Sequence, residues 1–274
     1  MTGAGCWVLL FAAATALAAE PIRFALLSDP HVNRGTAEDQ PLYRPRFESV
    51  IAAINAEKVS FVLIAGDLTQ NGKPEEIADF KKLAAGFTAP VHYVPGNHDV
   101  GNKRIAGKTD PVVTPARTTA FEESLGPSFY ARTMAGVRLI GVNSPILGAG
   151  VPLEEKQWTF LERELASPAA MPTIVFMHHP LFVKTADEPG GEYWNVEPEP
   201  RARLIALLKR GGVHIVLTGH LHRALTNRLD DMVLVSTLPV SFGLPRAKNL
   251  QGWTLVTLPG DGREPQFETR LVSN

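Results

Sequence analysis

The stretch VHYVPGNHD, residues 91–99, decides the fold. The run 91–94 is apolar enough to predict a buried strand, and Pro95-Gly96 ends it. Asn97-His98-Asp99 follows, where the carboxyl end of a strand opens into a loop. This triplet offers a carbonyl oxygen, a titratable imidazole and a carboxylate. Open α/β sheets bind their ligands just beyond the carboxyl ends of strands, so the triplet predicts a site in such a sheet.

Four other predicted strands end in the same residue types. The runs 22–27, 61–65, 173–177 and 213–217 are followed by Ser28-Asp29-Pro30-His31, Gly66-Asp67, His178-His179-Pro180 and Thr218-Gly219-His220-Leu221-His222. Pro30 is expected to keep Asp29 extended, and residues two apart in an extended segment project to the same side. One such cluster is an ordinary strand cap, but five of them predict a shared site.

Strands and helices alternate along most of the chain. Helical periodicity is found in 42–55, from Pro74 to about Gly86, in 115–125, around 153–165 and in 200–210, and a further strand is predicted over 137–142. The strand 61–65 is apolar on both faces and is therefore expected to be central and parallel. From about 224 to 272 the sequence has strand patches and no convincing helix. This order predicts two sheets with helices outside, in one domain over 20–274.

Two loop segments are expected near the site. Residues 100–133 are interpreted as an excursion over its mouth, and 184–200 as a long loop that carries Tyr193 and Trp194.

Composition excludes a globally charged binding surface. The 274 residues carry 27 basic and 28 acidic side chains, a formal net charge of -1. No stable nucleic-acid partner is expected from this balance, and any anion must be held by local positive charge, such as metal ions.

The first nineteen residues predict a signal peptide. Trp7 to Leu17 is an apolar run, and Ala16-Leu17-Ala18 forms a small-residue cleavage site, although no Lys or Arg precedes the run. The run is too short to span a bilayer. Cys6, the only cysteine, precedes the run, which argues against a lipoprotein anchor. We expect a secreted, periplasmic bacterial protein whose mature chain, 20–274, has no thiol and no membrane span.

The ordered series of motifs resembles the calcineurin-like metallophosphoesterases. The motifs are Asp29-x-His31, Gly66-Asp67, Gly96-Asn97-His98-Asp99, His178-x-Pro180 and Gly219-His220-x-His222. The resemblance implies an α/β (α+β) fold, a four-layer αββα sandwich of two mixed sheets flanked by helices, with a dinuclear metal centre. His178-His179-Pro180-Leu181-Phe182 and the loop with Tyr193-Trp194-Asn195 are similar to the subgroup that contains a eukaryotic cytosolic serine/threonine phosphatase.

The resemblance also implies which residues bind metal. One ion would be held by Asp29, His31, Asp67 and His222, and the other by Asp67, Asn97, His178 and His220, with Asp67 bridging. Two ions clamp the attacking and departing oxygens of an in-line displacement, and a bridging water with a lowered pKa becomes the attacking hydroxide. Only the two aspartates are negative, so two dications would leave a surplus of about +2 that attracts phosphate.

His98 is implied as the group that assists the leaving alkoxide or stabilises the phosphoryl group. Asp99 is expected to hydrogen-bond its imidazole, with a loop cap as the alternative. Residues that flank the clusters are candidates for substrate contact: His179, Trp194, Arg34 and Arg223, and also Asn33, Lys103 and Arg104. For each of these, a solvated loop residue is the other interpretation. His92 and His214 lie inside strands and are interpreted as structural.

Metal identity and substrate stay open. Purple acid phosphatases, a related branch, have a Tyr three residues after the bridging Asp, where this chain has Gln70. A colourless centre of Mn, Fe(II) or Zn is therefore expected, and nitrogen and oxygen ligands do not choose among them. The favoured hypothesis is a phosphoesterase acting on monoesters, the alternative a phosphodiesterase acting on nucleotides or cyclic nucleotides. A non-catalytic metal-binding scaffold is a third hypothesis, which the full ligand set and His98 disfavour. The oligomeric state is not predicted.

Overall fold

The computed structural model describes residues 20–35, 43–108, 112–245, 250–260 and 263–272, so the predicted signal peptide 1–19 lies outside the described residues. The strands are β1 (Ile22–Leu27), β2 (Val62–Ala65), β3 (Val91–Val94), β4 (Tyr130–Met134), β5 (Val137–Val142), β6 (Thr173–Met177), β7 (Ile215–Thr218), β8 (Leu225–Leu229), β9 (Met232–Ser236), β10 (Gly252–Leu258) and β11 (Gln266–Leu271). The helices are α1 (Arg44–Glu57), α2 (Pro74–Ala84), α3 (Asn97–Val100), α4 (Pro115–Leu125), α5 (Pro152–Glu164) and α6 (Pro198–Arg210).

These strands form two mixed sheets. The first has the order β11-β10-β1-β2-β3, and the second the order β4-β5-β6-β7-β9-β8. In the first sheet β1, β2 and β3 run parallel, while β10 pairs with β1 and β11 in antiparallel fashion. In the second, β5, β6, β7 and β9 run parallel, and β4 and β8 are antiparallel edges. Strand β2 has β1 and β3 as parallel neighbours and is fully buried, as predicted.

Side-chain alternation within the strands builds three apolar layers. In β1, Phe24 and Leu26 pack between the two sheets, whereas Ala25 and Leu27 face the helices of the first sheet. The first of the two outer layers contains α1 and α2, and the second contains α5 and α6. Helix, sheet, sheet and helix therefore stack in that order, and the expected four-layer αββα sandwich is confirmed.

Proline marks the beginning of the long helices. α1, α2, α4, α5 and α6 each have a proline in the first two helical positions, where its missing N–H removes no helical hydrogen bond. The periodic apolar positions of α1, such as Phe47, Val50 and Ile54, are buried against the sheet. Apolar burial on one face thus explains why these segments are helices.

Two expectations about the sheets are corrected. β3 is an edge strand with residues 91–93 half-buried, because it has β2 on one side only. The excursion predicted over 100–133 contains helix α4, but its last residues belong to β4, which pairs with β5 from Tyr130 to Met134. None of the described helices is long and apolar enough to cross a membrane.

The carboxyl ends of the two sheets meet at one place. Within the first sheet the Asp29 N–H donates to the Gly66 carbonyl (3.0 Å), and within the second the Gly219 N–H donates to the His178 carbonyl (3.0 Å). Across the sheets, the His220 N–H donates to Asp29 Oδ2 at 3.1 Å. The loops that carry the predicted motifs are therefore held together by backbone N–H groups that donate to backbone carbonyls within each sheet and to the Asp29 carboxylate between the sheets.

Candidate metal centre

Five of the predicted ligand residues have left-handed backbone. The φ values are 54° for Asp29, 46° for His31, 50° for Asp67, 67° for His220 and 51° for His222. Non-glycine residues adopt this region at a cost, and such residues concentrate at functional sites. The expectation that Pro30 keeps Asp29 extended is wrong, because the loop hydrogen bonds impose a turn that outweighs the preference of a residue before proline.

The first group of donors contains Asp29, His31, Asp67 and His222, whose ligand atoms lie within 4.8 Å of one another. His31 Nε2 is 3.5 Å from Asp67 Oδ2 and 3.3 Å from His222 Nε2. His222 Nε2 is 3.3 Å from Asp29 Oδ1. All four residues are buried, so the group faces inward from the loops that follow β1, β2 and β7.

The second group shares Asp67 with the first and adds His178 and His220, again within 4.8 Å. His178 Nε2 lies 3.2 Å from Asp67 Oδ2, 3.0 Å from His220 Nδ1 and 3.0 Å from Asn97 Oδ1. Asn97 occupies the first position of the short helix α3, where a loop had been expected. The structure thus brings together all seven predicted ligands, with Asp67 between the two groups.

Hydrogen bonds on the far side of each ring fix the histidine tautomers. His178 Nδ1 donates to the Ala65 carbonyl (2.8 Å), His222 Nδ1 to the Phe242 carbonyl (2.6 Å), and His220 Nε2 to the Tyr193 carbonyl (3.2 Å). A carbonyl oxygen only accepts, so these nitrogens carry the protons. The opposite nitrogen of each ring therefore presents a lone pair to the interior of the site, as a metal ligand requires.

The arrangement of these lone pairs fits two cations. Two pairs of ring nitrogens, one within each group, face each other at 3.0 and 3.3 Å, where lone pairs repel unless a proton or a cation lies between them. Asp29 Oδ1 is buried and has no hydrogen-bond partner among the described residues. Four imidazoles, two carboxylates and one carboxamide oxygen form a donor set suited to Mn, Fe or Zn.

Within each facing pair, one ligand histidine has a lowered pKa and the other a raised pKa. Burial lowers the pKa of His31 and of His220 to about 3 each. Burial also opposes protonation of His178, but the Asp67 carboxylate outweighs it and raises the pKa of His178 to about 9. The pKa of His222 is likewise raised, by Asp29 against the effect of burial. In the pair of His178 and His220 the proton is therefore held by His178, and a bound cation would displace it.

His98 lies beside the metal groups without belonging to them. Its ring centroid is 4.5 Å from that of His31, and the side chain is half-buried. Its backbone N–H donates to Asp67 Oδ1 at 2.8 Å, and its Nδ1 is 2.7 Å from the Gln70 carbonyl oxygen. Because that carbonyl only accepts, Nδ1 keeps its proton and Nε2 is the nitrogen free to gain and lose one.

The expected hydrogen bond between Asp99 and the His98 imidazole is absent from the described contacts. Asp99 Oδ2 instead accepts from the backbone N–H groups of Leu68 (3.0 Å) and Gly96 (2.8 Å). Its Oδ1 accepts from the N–H (2.9 Å) and the hydroxyl (2.8 Å) of Thr69. Its carboxylate thus ties the loop after β2 to the start of α3, which is the loop-cap alternative.

The flanking residues predicted to contact substrate differ in the burial of their side chains and in the partners that these side chains already have. The Arg34 guanidinium binds both carboxylate oxygens of Asp79 (2.5 and 2.8 Å), and Lys103 is buried against Glu197. Arg104 donates to the Ala149 carbonyl and Asn33 is buried. His179 is also buried, with Nδ1 3.0 Å from Ser144 Oγ and its ring 4.2 Å from that of His220. Arg34 and Arg104 are thus exposed residues that bind other parts of the protein. Asn33, Lys103 and His179 are buried and are therefore not the solvated loop residues of the alternative interpretation.

Trp194 and Arg223 are more accessible. Trp194 is 38% exposed, and its ring centroid is 5.9 Å from that of His220. Arg223 is exposed and directly follows the ligand residue His222. His92 lies half-buried within β3, and His214 is exposed just before β7 rather than inside it. Neither of these two belongs to a donor group of the described residues. The position of His92 agrees with a sheet-face histidine, whereas the expectation that His214 lies inside a strand is wrong.

Several residues that support the site were missed by sequence reasoning. The Tyr193 hydroxyl accepts from Asn97 Nδ2 (2.9 Å) while the Tyr193 carbonyl accepts from His220. Gln70 accepts from His31 Nδ1 (2.9 Å) and Asn102 accepts from Asn97 Nδ2 (2.9 Å). These partners lie in irregular loops, where no periodicity or spacing in the sequence predicts which side chain contacts which ligand residue.

Comparison with known proteins agrees with this geometry. Residues 22–224 match the model of the family described as calcineurin-like phosphoesterase. The chain is 32% identical over 213 residues to serine/threonine-protein phosphatase CPPED1 of Danio rerio, a match that covers 72% of this chain and 66% of that protein. It is 28% identical to a probable cyclic nucleotide phosphodiesterase of Rhodopseudomonas palustris, covering 75% of this chain and 73% of the relative.

A solved structure extends the agreement to the fold. The crystal structure of a dimetal phosphatase from Danio rerio superposes with a TM-score of 0.58 at 11% identity, covering 90% of this chain and 98% of that one. At this identity the likeness concerns the fold alone. The family match spans most of the chain and includes all seven donors and His98. The chain belongs to the calcineurin-like phosphoesterase family.

Proposed function

We propose that this protein is a dinuclear-metal phosphoesterase that hydrolyses phosphate monoesters. The observation that carries the proposal is the position of Asp67 Oδ2, 3.5 Å from His31 Nε2 and 3.2 Å from His178 Nε2. One carboxylate oxygen therefore faces both donor groups, as a bridging ligand must. The match covers 66% of the length of the Danio rerio phosphatase, slightly less than two thirds. The activity of this protein is therefore proposed from the geometry of its own site.

Divalent ions bound here would polarise the phosphoryl oxygens and lower the pKa of water at the site. The chain itself fixes where that chemistry happens. Asp67 is held by the His98 N–H on Oδ1, so its Oδ2 stays aimed between the groups. The Tyr193 hydroxyl and Asn102 both accept from the Asn97 amide nitrogen, which turns Asn97 Oδ1 toward His178.

His98 supplies the proton for the leaving group. The Gln70 carbonyl keeps the Nδ1 proton in place, so a doubly protonated ring gives up the proton on Nε2 and returns to a stable neutral tautomer. An ester oxygen that departs with this proton leaves as an alcohol and not as an alkoxide. The histidine thus acts on the substrate while the other four site histidines hold cations.

The test is a substrate panel on the purified protein, stripped of metal and reloaded with Mn, Zn or Fe(II). We expect about two metal ions per chain, with turnover of phosphomonoesters that disappears on stripping and returns on reloading. Metal binding without turnover of any ester in the panel would support the non-catalytic scaffold instead.

The similarity to a probable cyclic nucleotide phosphodiesterase favours a second candidate activity, hydrolysis of cyclic nucleotides. The same in-line displacement serves a diester, and His98 would then protonate the departing ribose oxygen. Including 3′,5′-cyclic AMP and bis-4-nitrophenyl phosphate in the panel separates the two activities. A higher kcat/KM for the diesters than for 4-nitrophenyl phosphate would replace the monoesterase proposal.

We also propose that the protein is secreted to a bacterial periplasm. The apolar run Trp7 to Leu17 and the small-residue cleavage site Ala16-Leu17-Ala18 at its end support this proposal. Expression of the full chain in a Gram-negative host should yield a periplasmic product that begins near Glu20. A product with an intact amino terminus in the cytoplasmic fraction would overturn it.

A further inference from the structure

A polar cavity of about 290 Å³ opens next to the metal centre. Its described lining includes Asn97 and His98 from the centre itself, together with Asn71, Asn102, Arg117 and Tyr193. Carboxamide, phenol and guanidinium groups all form hydrogen bonds, and no aliphatic side chain belongs to the described lining. The cavity is thus built for a hydrogen-bonding group.

The position of the cavity makes it the space for the leaving group. Asn97 Oδ1 lies 3.0 Å from the ligand atom His178 Nε2, and His98 is the proton donor in the proposed reaction. A group that receives its proton from His98 must lie within hydrogen-bond reach of that ring. The part of the substrate attached to the departing oxygen therefore extends into this cavity.

Arg117 gives the cavity an uncompensated positive charge. It lies in the first turn of α4, is exposed, and its side chain forms no ion pair among the described residues. Two other described cationic side chains near the site are occupied, since Arg34 binds Asp79 and Lys103 binds Glu197. Arg223 is exposed, but it does not belong to the described lining of this cavity. No carboxylate belongs to the described lining of this cavity.

A described carboxylate that lines a cavity together with Arg117 is also occupied. Asp99 and Arg117 both line a smaller neighbouring cavity. Both oxygens of Asp99 already accept hydrogen bonds, from Leu68, Thr69 and Gly96. The guanidinium of Arg117 is therefore available for a ligand.

We infer that this cavity recognises a leaving group with a second anionic group, a carboxylate or a second phosphate, and that Arg117 is the residue that binds it. The inference rests on the proposed phosphoesterase function and adds its substrate class. Arginine binds carboxylate and phosphate through a planar fork of N–H groups, and such charge-assisted bonds are about twice as strong as neutral ones. Asn71 and Asn102 would bind hydroxyl groups on the same leaving group.

Two matched substrate pairs test the inference. 3-Phosphoglycerate differs from glycerol 3-phosphate by a carboxylate, and fructose 1,6-bisphosphate differs from fructose 6-phosphate by a phosphate. For the metal-loaded wild-type protein we expect kcat/KM to be about tenfold higher for the member that carries the second anionic group in at least one pair, which also identifies the anionic group preferred. Most of the difference should appear in KM, because the contact is present before and during the reaction.

Variants at Arg117 assign the preference to this residue. Arg117→Leu should reduce the ratio within the preferred pair to about one while leaving kcat/KM for the ester without the second anionic group within about twofold of wild type. Arg117→Lys should keep part of the ratio, because a point charge remains without the fork. Arg163→Ala removes one positive charge from the exposed surface of α5 and should leave the ratio unchanged.

The inference and the proposed function fail in different ways. Turnover of the esters without a preference for the second anionic group in either pair, or with a preference that survives Arg117→Leu, overturns the inference and leaves the phosphoesterase intact. If no ester is hydrolysed, the proposed function fails. Calorimetric titration of the metal-loaded protein with the four compounds then tests whether the cavity binds the second anionic group. Equal dissociation constants within both pairs, in wild type and Arg117→Leu alike, would then overturn it.

Discussion

The ligand histidines of this site use both ring nitrogens, one to hold the ring in place and the other to face the interior. Each ligand histidine for which a carbonyl fixes the outer nitrogen, such as His178 with Ala65, presents the other nitrogen to the interior. The ligand residues were predictable because their types and order along the chain resemble a family pattern. Their orienting partners were not, because a backbone carbonyl such as that of Ala65 exists at every residue and carries no sequence signal.

Asp99 shows why a residue's neighbour in sequence is a poor guide to its role. It directly follows His98, which suggested a contact between the two side chains. Helical backbone at Asn97–Val100 points consecutive side chains about 100° apart, so the carboxylate turns toward the backbone of Leu68 and Thr69. The residue holds the loops that carry Asp67 and His98, and the described contacts include no hydrogen bond from its carboxylate to the His98 ring.

Asp67→Asn tests the bridging carboxylate. The substitution keeps the shape of the side chain but replaces one oxygen by an NH₂ group, which cannot bind a cation. We expect fewer than two metal ions per chain and loss of nearly all activity, because both donor groups share this residue. Metal analysis and turnover measure the two effects.

A suitable control for that substitution is Asp79→Asn, which makes the same chemical change at a surface carboxylate paired with Arg34. It should leave both metal content and activity near wild type. An Asp67→Asn protein with two metals per chain and normal turnover would contradict the dinuclear assignment.

His98→Ala tests the division between metal ligands and proton donor. Since His98 belongs to neither donor group, the variant should retain its metals but lose about 10²–10⁴-fold in kcat. The loss should be smaller for 4-nitrophenyl phosphate than for an alkyl phosphate, because a good leaving group needs little protonation. Loss of a metal ion from this variant would show that the residue is a ligand.

At the scale of elements, periodicity predicted the helices well and the sheet edges poorly. The apolar positions of α1 and α2 repeat at helical spacing and are buried as expected. Strand β3 was expected to be buried because its residues are mostly apolar, yet it is half-buried because no further strand pairs with its outer edge. β4 was missed because its sequence, YARTM, alternates weakly and is stabilised by pairing with β5.

The loop between β6 and α6 carries a second prediction about substrate. Trp194 is 38% exposed and lines a cavity of about 340 Å³ with Val183 and Pro189, beside the ring of His220. Apolar contact with a bulky ester would be similar in the ground and transition states. Trp194→Ala should therefore raise KM for an aryl phosphate and leave kcat, and the KM of a small alkyl phosphate, nearly unchanged.

Tyr193→Phe is the matched comparison in the same loop. Its hydroxyl accepts from the Asn97 amide, so this variant should weaken metal binding, by roughly tenfold, whereas Trp194→Ala should not. Equal losses on both esters, or a lower melting temperature with intact kinetics in Trp194→Ala, would indicate that the tryptophan only anchors the loop.

At the scale of the whole molecule, the site exists because two sheets present their carboxyl ends to each other. Asp29 and Asp67 come from the first sheet, while His178, His220 and His222 come from the second, and the hydrogen bond from the His220 N–H to Asp29 joins them. The sequence indicates which strand ends carry polar residues. It does not indicate the distance between the sheets, which is set by packing of the layer that includes Phe24, Phe176 and Leu217.

Metal ions bound at such a site should stabilise the folded protein, and the size of this stabilisation should depend on pH. In the metal-free protein, Asp67 outweighs burial and raises the pKa of His178 from 6.5 to about 9. A histidine whose folded pKa is raised contributes stability below its unfolded pKa, and this contribution is lost as the pH rises through the folded value. Over the same window the proton that competes with the cation disappears, so metal affinity rises.

The difference in melting temperature between metal-loaded and chelator-stripped protein should therefore increase between pH 6.5 and pH 9. For a chain of this size each kcal/mol corresponds to about 2–4 °C, so a change of several degrees is expected. Scanning calorimetry at constant free metal concentration measures it, and Asp67→Asn, which lacks the charge that raises the pKa of His178, should show a flatter profile. A difference that stays constant across the window in wild type would mean that bound metal does not displace the His178 proton.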